Sequence, residues 1–308
     1  MGGEHVSYYC GIDLGGTKIL GSLAHEGTTI ATGSRETHGN PGGVAITIEH
    51  LIKELCDHAG IASEDVSLTA MGVAGVPQPD GGLARAPNLG EKELSLAVIL
   101  ADALGHRVIL ENDVNAAAIG EMTTTGLDDF AFIAVGTGIG MGVISRGQIL
   151  HGAHGAAGEI GYLPFGSDPL NTDHHHNALL EEVVSGVGIE KQFQLISGRR
   201  AGAREIFDQA YNDPSGPANN VLDRAAFEAA RTIVAVCAVI DPSAIVLGGG
   251  IGSREDFRVR IVRWLAALGH PEVDVRLSVL GVHATLVGAL EIASRELEMN
   301  HQEGMLKR

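Results

Sequence analysis

The feature that most constrains this chain is a pattern that occurs twice. An apolar run ends in a turn of glycine and threonine at "CGIDLGGTKI" (10–19), and another does so at "FAFIAVGTGIGMGVI" (130–144), about 123 residues further on. Apolar runs of this length bounded by glycine turns predict buried strands. In both halves a second strand-like run follows the turn, so each half opens as a meander. Two such openings, each leading on to helical segments, predict an α/β protein with two related lobes and a cleft between them. Length agrees, because 308 residues at 44% hydrophobic exceed what a single core usually absorbs.

The rest of the chain fills in the two programmes. Tyr8–Leu14 suits a buried strand, and two more strand-like pieces flank the turn signal at Glu26-Gly27. Residues 43–59 place Ile46, Ile48, Leu51, Ile52 and Leu55 at roughly helical spacing. "SLTAMGVAG" (67–75) and "RVILEND" (107–113) read as strands, the second running into an alanine-rich helix at "VNAAAIGEM" (114–122). The second half adds a long amphipathic helix over 223–241, a strand meeting a glycine turn at "AIVLGGGI" (244–251), and a closing helix over 283–298.

Charge and cysteine usage exclude several classes. Thirty-eight acidic residues against 21 basic give a formal charge of −17, which disfavours contact with a phosphate backbone, so nucleic acid is not an expected partner. Cys10, Cys56 and Cys237 form neither an even disulfide set nor a CxxC pair, which fits a reducing, cytoplasmic setting. "MGGEHVSYY" lacks the basic and apolar regions of a signal peptide, and no window approaches 18 apolar residues, so no membrane association is expected.

Neither common nucleotide fingerprint is present. Gly11 is followed at the Walker spacing by Gly16-Thr17, with Lys18 one place late, and Gly136-Thr137-Gly138 has Met141 where the third glycine of GxGxxG belongs. What remains is three glycine-rich strand ends: Gly15-Gly16-Thr17, Gly136-Thr137-Gly138 and Gly248-Gly249-Gly250. Each can present backbone N–H groups to an anion, and each can equally be a tight hairpin turn that needs positive φ. Asp13, at the end of the first strand, suits hydrated Mg²⁺ beside phosphates or an Asx-turn. Asp113, between strand and helix, suits either a catalytic carboxylate or a helix N-cap.

Six segments together carry a resemblance. "GIDLGGTKI", "GVAGV" with "APNLG", "ENDVNAAAIGE", "VGTGIGMGVI", "HGAHGAAGEIGY" and "DPSAIVLGGGI" stand in the order found in the ROK family of sugar kinases and sugar-responsive regulators, and the similarity covers nearly the whole chain. The resemblance implies the two-lobed actin-like ATPase fold shared with hexokinases, divided here as 1–118 plus about 284–308 and 119–283. It implies ATP-dependent phosphorylation of a hexose, glucose by default, with Asp113 as the base. It further implies Asp13 on Mg²⁺ through water, Gly15, Gly16, Thr17, Thr137 and Gly138 on phosphate, and Gly248, Gly249 and Gly250 on the adenosine side. Asn88, Asn112, Glu159, Glu181 and the backbone near Gly75 are implied at the sugar, and dimers are the family's habit. Without the resemblance, Glu181 and Glu182 read as the solvated face of a helix.

One motif departs from the family pattern. Most ROK kinases continue the glutamate motif as Glu-x-Gly-His and a CxCGxxGC cluster that binds a structural zinc, whereas Tyr162 stands at the histidine and Thr172, His174 and Leu179 at the cysteines. The tetrahedral sulfur site cannot form, and no structural zinc is expected. Neighbouring side chains of His174-His175-His176 diverge, so that run reads as a polar loop. Tyr162 offers a phenol hydroxyl and a ring face to the sugar instead. The alternatives to a hexose kinase are an N-acetylated hexosamine kinase, a non-catalytic sugar-binding relative and a sugar-sensing regulator. The last is disfavoured by the acidic charge and by the roughly seven residues that precede the first strand.

Overall fold

A computed structural model describes residues 7–37, 41–77, 83–84, 96–166, 168, 170 and 178–306. Its contacts divide the chain into two units. The first comprises Met1–Gly126, Gly152–Gly155 and His283–Arg308, and the second Leu127–His151 and Ala156–Val282. The first boundary falls at Gly126, after the helix that a cut at 118 would divide.

The first unit contains β1 (Tyr8–Leu14), β2 (Lys18–His25), β3 (Thr28–Glu36), α1 (Pro41–Ala59), β4 (Val66–Val73), the short antiparallel pair β5 (Val76–Pro77) and β6 (Leu83–Ala84), α2 (Leu96–Leu104), β7 (Arg107–Asn112), α3 (Asp113–Thr125) and the C-terminal helix Ala284–Leu306. The sheet order is β3-β2-β1-β4-β7, with β1, β2 and β3 antiparallel and β1, β4 and β7 parallel. A parallel pair needs a crossover, and α2 supplies the one between β4 and β7 that the sequence reading left out.

Side chains alternate along β1 because the strand period is two. Cys10, Ile12 and Leu14 pack with Ile48, Leu51, Ile52 and Leu55 of α1, while Tyr9 joins Ala70 and Ala293 under the C-terminal helix. With both faces covered, the strand carries no charged residue except Asp13 at its carboxyl end. Ile46 is the exception to the expected α1 stripe, at 56% exposed. The buried positions run 44, 45, 48, 51, 52, 55 and 56, and Ile46 is rotated off that face.

The second unit repeats the plan. It contains β8 (Phe130–Val135), β9 (Ile139–Ser145), β10 (Gln148–Ile149), α4 (Glu181–Val184), α5 (Gly186–Ser197), α6 (Ala203–Asn212), α7 (Pro217–Ile240), β11 (Ile245–Gly248), α8 (Gly249–Gly252), α9 (Glu255–Ala267) and β12 (Val275–Leu277). Its order, β10-β9-β8-β11-β12, matches the first sheet strand for strand, again with three antiparallel strands and then parallel neighbours. The second hairpin of each unit turns through one device. Glu26 and Gly27 have φ of 47° and 74°, Arg146 and Gly147 have 52° and 71°, and two positive φ values in sequence match the twist of the flanking strands. The core of this unit joins Ile133, Ile245 and Leu247 of the sheet to Leu222 and Ile233 of α7 and to Phe257 and Ile261 of α9.

Candidate active site

In the first unit, the glycine turn is a hairpin loop held from the side. Gly15 N donates to Lys18 O at 3.0 Å, Thr37 N to Thr17 O at 3.0 Å and Thr37 Oγ1 to Gly15 O at 2.7 Å. Gly16, Thr17 and Lys18 are exposed, and Gly15 has no positive φ. The requirement for left-handed backbone therefore does not account for the glycine there.

Asp13 sits at the carboxyl end of β1, opposite Gly72 of β4, which in turn faces Glu111 of β7. Asp113 follows β7 directly, so both carboxylates belong to the same end of three parallel strands, where open α/β sheets present their sites. Burial and then the neighbouring Asp113 push the Asp13 carboxyl up to about 7. Burial also raises Asp113, opposed by the Val114 N–H, which donates to Asp113 Oδ1 at 3.0 Å.

The helix cap is Asn112 and not Asp113. Asn112 Oδ1 accepts from Val114 N and Asn115 N, both at 3.0 Å, which leaves Asp113 as the first helical residue. Asn112 Nδ2 donates to Gly75 O at 3.0 Å, so these two residues, both expected at the sugar, are bonded to each other. Gly75 has φ of 127°, a conformation that favours glycine. Two residues outside the expected set complete this segment: Glu111 Oε1 accepts from Asn112 N at 2.9 Å and from Asn115 Nδ2 at 3.0 Å. Glu111 lies on β7 and Asn115 in the first turn of α3, so the pair meets across a strand-to-helix junction that no single periodicity signals. Thr285 of the C-terminal helix adds a bond from Oγ1 to Asp113 O at 3.2 Å.

In the second unit, the matching turn has Gly136 N bonded to Gly138 O at 2.9 Å, and Gly136 O accepts from Gly186 N at 2.8 Å where α5 begins. Glu181, the first residue of α4, reaches this turn: its Oε2 accepts from Ile139 N at 3.0 Å. A Cβ on Gly138 would lie 2.4 Å from that oxygen, so glycine there makes room for the carboxylate. The reading of Glu181 as part of a solvated helix face is thereby corrected. Leu180 N donates to Gly161 O at 3.0 Å, which ties α4 to the "GEIGY" segment that carries Glu159 and Tyr162. Glu159 is half-buried at the head of the 3-10 turn Ile160–Tyr162, and Tyr162 is 50% exposed.

The third glycine run is not a simple turn, because it continues from β11 into α8. A Cβ on Gly248 would meet the Phe132 ring at 2.2 Å, and one on Gly249 (φ 77°) would meet Val135 O at 2.5 Å. Gly250 is exposed, with nothing within 4 Å of a Cβ position. Packing explains the first two glycines and leaves Gly250 as the open one.

Asn88, Thr172 and His174, His175 and His176 lie outside the described residues. Among the described residues, no three His, Cys, Asp or Glu side chains gather as metal ligands do, and no helix is long and apolar enough to cross a membrane.

Two five-stranded mixed sheets of one topology, each with a glycine and threonine turn after its first strand, define an α/β fold of the actin-like ATPase class. Within that class the chain belongs to the ROK family, whose match spans residues 9–296. It is 30% identical to a glucokinase of Halalkalibacterium halodurans over 91% of this chain and 93% of that one. Among solved structures, it is similar to the ROK hexokinase of Thermus thermophilus, with a TM-score of 0.80 and 26% identity over 94% of this chain and 99% of that one. It is also similar to a ROK glucokinase of Streptomyces griseus in complex with glucose and AMPPNP, with a TM-score of 0.74 and 25% identity over 94% and 99%.

Proposed function

We propose that this chain is an ATP-dependent hexose kinase that converts glucose to glucose 6-phosphate with Asp113 as the base. The observation that carries the reading is the pair Asp13 and Asp113, two carboxylates at one end of one sheet, where burial and then the neighbouring Asp113 push Asp13 up to about 7. Such a pair suits a cation on Asp13 and a proton acceptor in Asp113.

The sugar hydroxyl attacks in line: its oxygen lone pair forms the new P–O bond, the bond to the ADP oxygen breaks with its electron pair, and the hydroxyl proton passes to the Asp113 carboxylate. Asp13 fits Mg²⁺ held through water, which supplies charge neutralisation on the phosphates. In the first unit Gly16 and Thr17 offer backbone N–H and hydroxyl donors to phosphate, with Gly15 closing their turn through its own N–H; in the second unit Thr137 and Gly138 offer such donors, and exposed Gly250 admits the adenosine side together with Gly248 and Gly249. Asn88, Asn112, Glu159, Glu181, Tyr162 and the backbone near Gly75 take the sugar hydroxyls. A cytoplasmic homodimer is the setting that the family suggests.

A coupled ADP-release screen over glucose, mannose, fructose, N-acetylglucosamine, N-acetylmannosamine and allose tests this. Wild type is expected to turn over glucose, and Asp113→Asn to lose about 10²- to 10⁴-fold in kcat. Preference for an acetylated sugar would make the chain a hexosamine kinase. No sugar-dependent ADP from any of the six would leave the sugar-binding reading, and full activity of Asp113→Asn would sink the base assignment.

A further inference from the structure

The segment that carries Glu159 is tied down at both ends, by different means. On its N-terminal side Gly158 pairs with β9: its carbonyl accepts from Met141 N at 3.1 Å, and with φ of 90° a Cβ there would meet Met141 O at 1.9 Å. Consecutive tight turns follow. Tyr162 N donates to Glu159 O at 3.3 Å, Leu163 N to Ile160 O at 2.9 Å and Phe165 N to Leu163 O at 2.8 Å.

On the C-terminal side the tie is made by side chains of α7. Arg224 Nη2 donates to Gly166 O at 2.7 Å, across 58 positions of sequence. The Arg231 guanidinium carbon stands 4.9 Å from the centre of the Phe165 ring and 5.7 Å from that of Phe227. Arg224 and Arg231 are two helical turns apart, so one face of α7 presents both. Glu228 is buried, and its Oε2 accepts from Arg231 Nη1 at 2.9 Å, which fixes the guanidinium over the ring. A planar cation held by a carboxylate stacks on an aromatic face in a way a lysine does not reproduce.

We propose that Arg224 and Arg231 are positioning residues for Glu159, clamping residues 165 and 166 so that the glutamate segment is set for the sugar. The pairing at Gly158 admits no side chain at all, so the arginine clamp is the end that substitution can grade. This rests on the reading of Glu159 as a sugar-binding residue.

The test uses the full chain with Arg224→Ala, Arg231→Ala and Arg231→Lys. Hydrogen exchange of the peptide spanning 159–166 is measured beside the melting temperature and the KM values for D-glucose and ATP. Exchange and the glucose KM are expected to rise about three- to tenfold in both alanine variants, with ATP KM and kcat close to wild type and partial recovery in Arg231→Lys. Unchanged exchange across 159–166 in both alanine variants overturns the clamp, as does faster exchange with an unchanged glucose KM. Failure of the kinase reading is distinct: it shows as absent sugar-dependent ADP release in wild type.

Discussion

The two glycine and threonine turns end the first strands of two sheets with one topology, yet they handle carboxylates in opposite ways. In the first unit, Asp13 is the strand's own residue and is pushed up to about 7 by burial and by Asp113. In the second, no acid stands on β8. Glu181 arrives from α4, 42 positions away, and its oxygen is taken up by the Ile139 N–H. The first carboxylate is left near Asp113 with a raised pKa, and the second is used to hold backbone. The shared frame thus specifies where a turn sits, while the residues delivered to it decide whether it carries a carboxylate of its own or is braced by one from a helix.

The contrast breaks first at Asp13. Asp13→Asn keeps the shape and removes the charge, so kcat for ADP release at saturating Mg²⁺ is expected to fall about a hundredfold or more. Near-wild-type turnover would show that the first turn does not depend on its carboxylate. The second effect is smaller. The variant Glu181→Ala removes a charge-assisted hydrogen bond of about 1.5–3 kcal/mol at the turn together with the proposed contact to the sugar, so the ATP KM and the glucose KM are both expected to rise about tenfold. Gly138→Ala places a methyl group 2.4 Å from the same oxygen and should act through the same contact. The double variant Gly138→Ala/Glu181→Ala is then expected to be little worse than either single one. A rise confined to the glucose KM in Glu181→Ala would show that the second turn does not depend on its brace.

How much of this was legible in the sequence follows the range of the interactions. The repeated meander was readable because strand period and turn chemistry are local, and β1 begins and ends where its apolar run does. The capping role of Asn112 was obscured by Asp113 beside it, since either residue type caps a helix and only φ and ψ separate them. Three consecutive glycines look alike in a sequence, and the Phe132 ring and Val135 carbonyl that distinguish Gly248 and Gly249 from Gly250 lie on another strand. The contacts of Glu181 with Ile139 and of Arg224 with Gly166 were beyond reach for the same reason, because these partners are 42 and 58 positions distant. Arg224 and Arg231 read only as charges on an amphipathic helix until Phe165 and Gly166 are placed against them.

The smallest predicted effect is thermodynamic, and it isolates the unit-one carboxylate from chemistry altogether. Asp13 titrates near 7 in the folded chain and near 3.8 when unfolded, so between those values the native state keeps a proton that the unfolded state has released. The unfolded state binds fewer protons there, and the Asp13 contribution to stability falls as pH rises from about 4 to about 7. Asp113, raised by burial, acts in the same sense. His106 opposes them: burial lowers its pKa, so its contribution is lost as pH falls. The difference between wild type and Asp13→Asn therefore carries the test, because His106 is common to both. Without nucleotide or Mg²⁺, Asp13→Asn is expected to melt roughly 2–4 °C above wild type at pH 8, with the gap closing toward pH 5. A gap that widens on acidification would mean that Asp13 is stabilised as the anion. The first turn would then resemble the second, with a carboxylate braced by its surroundings.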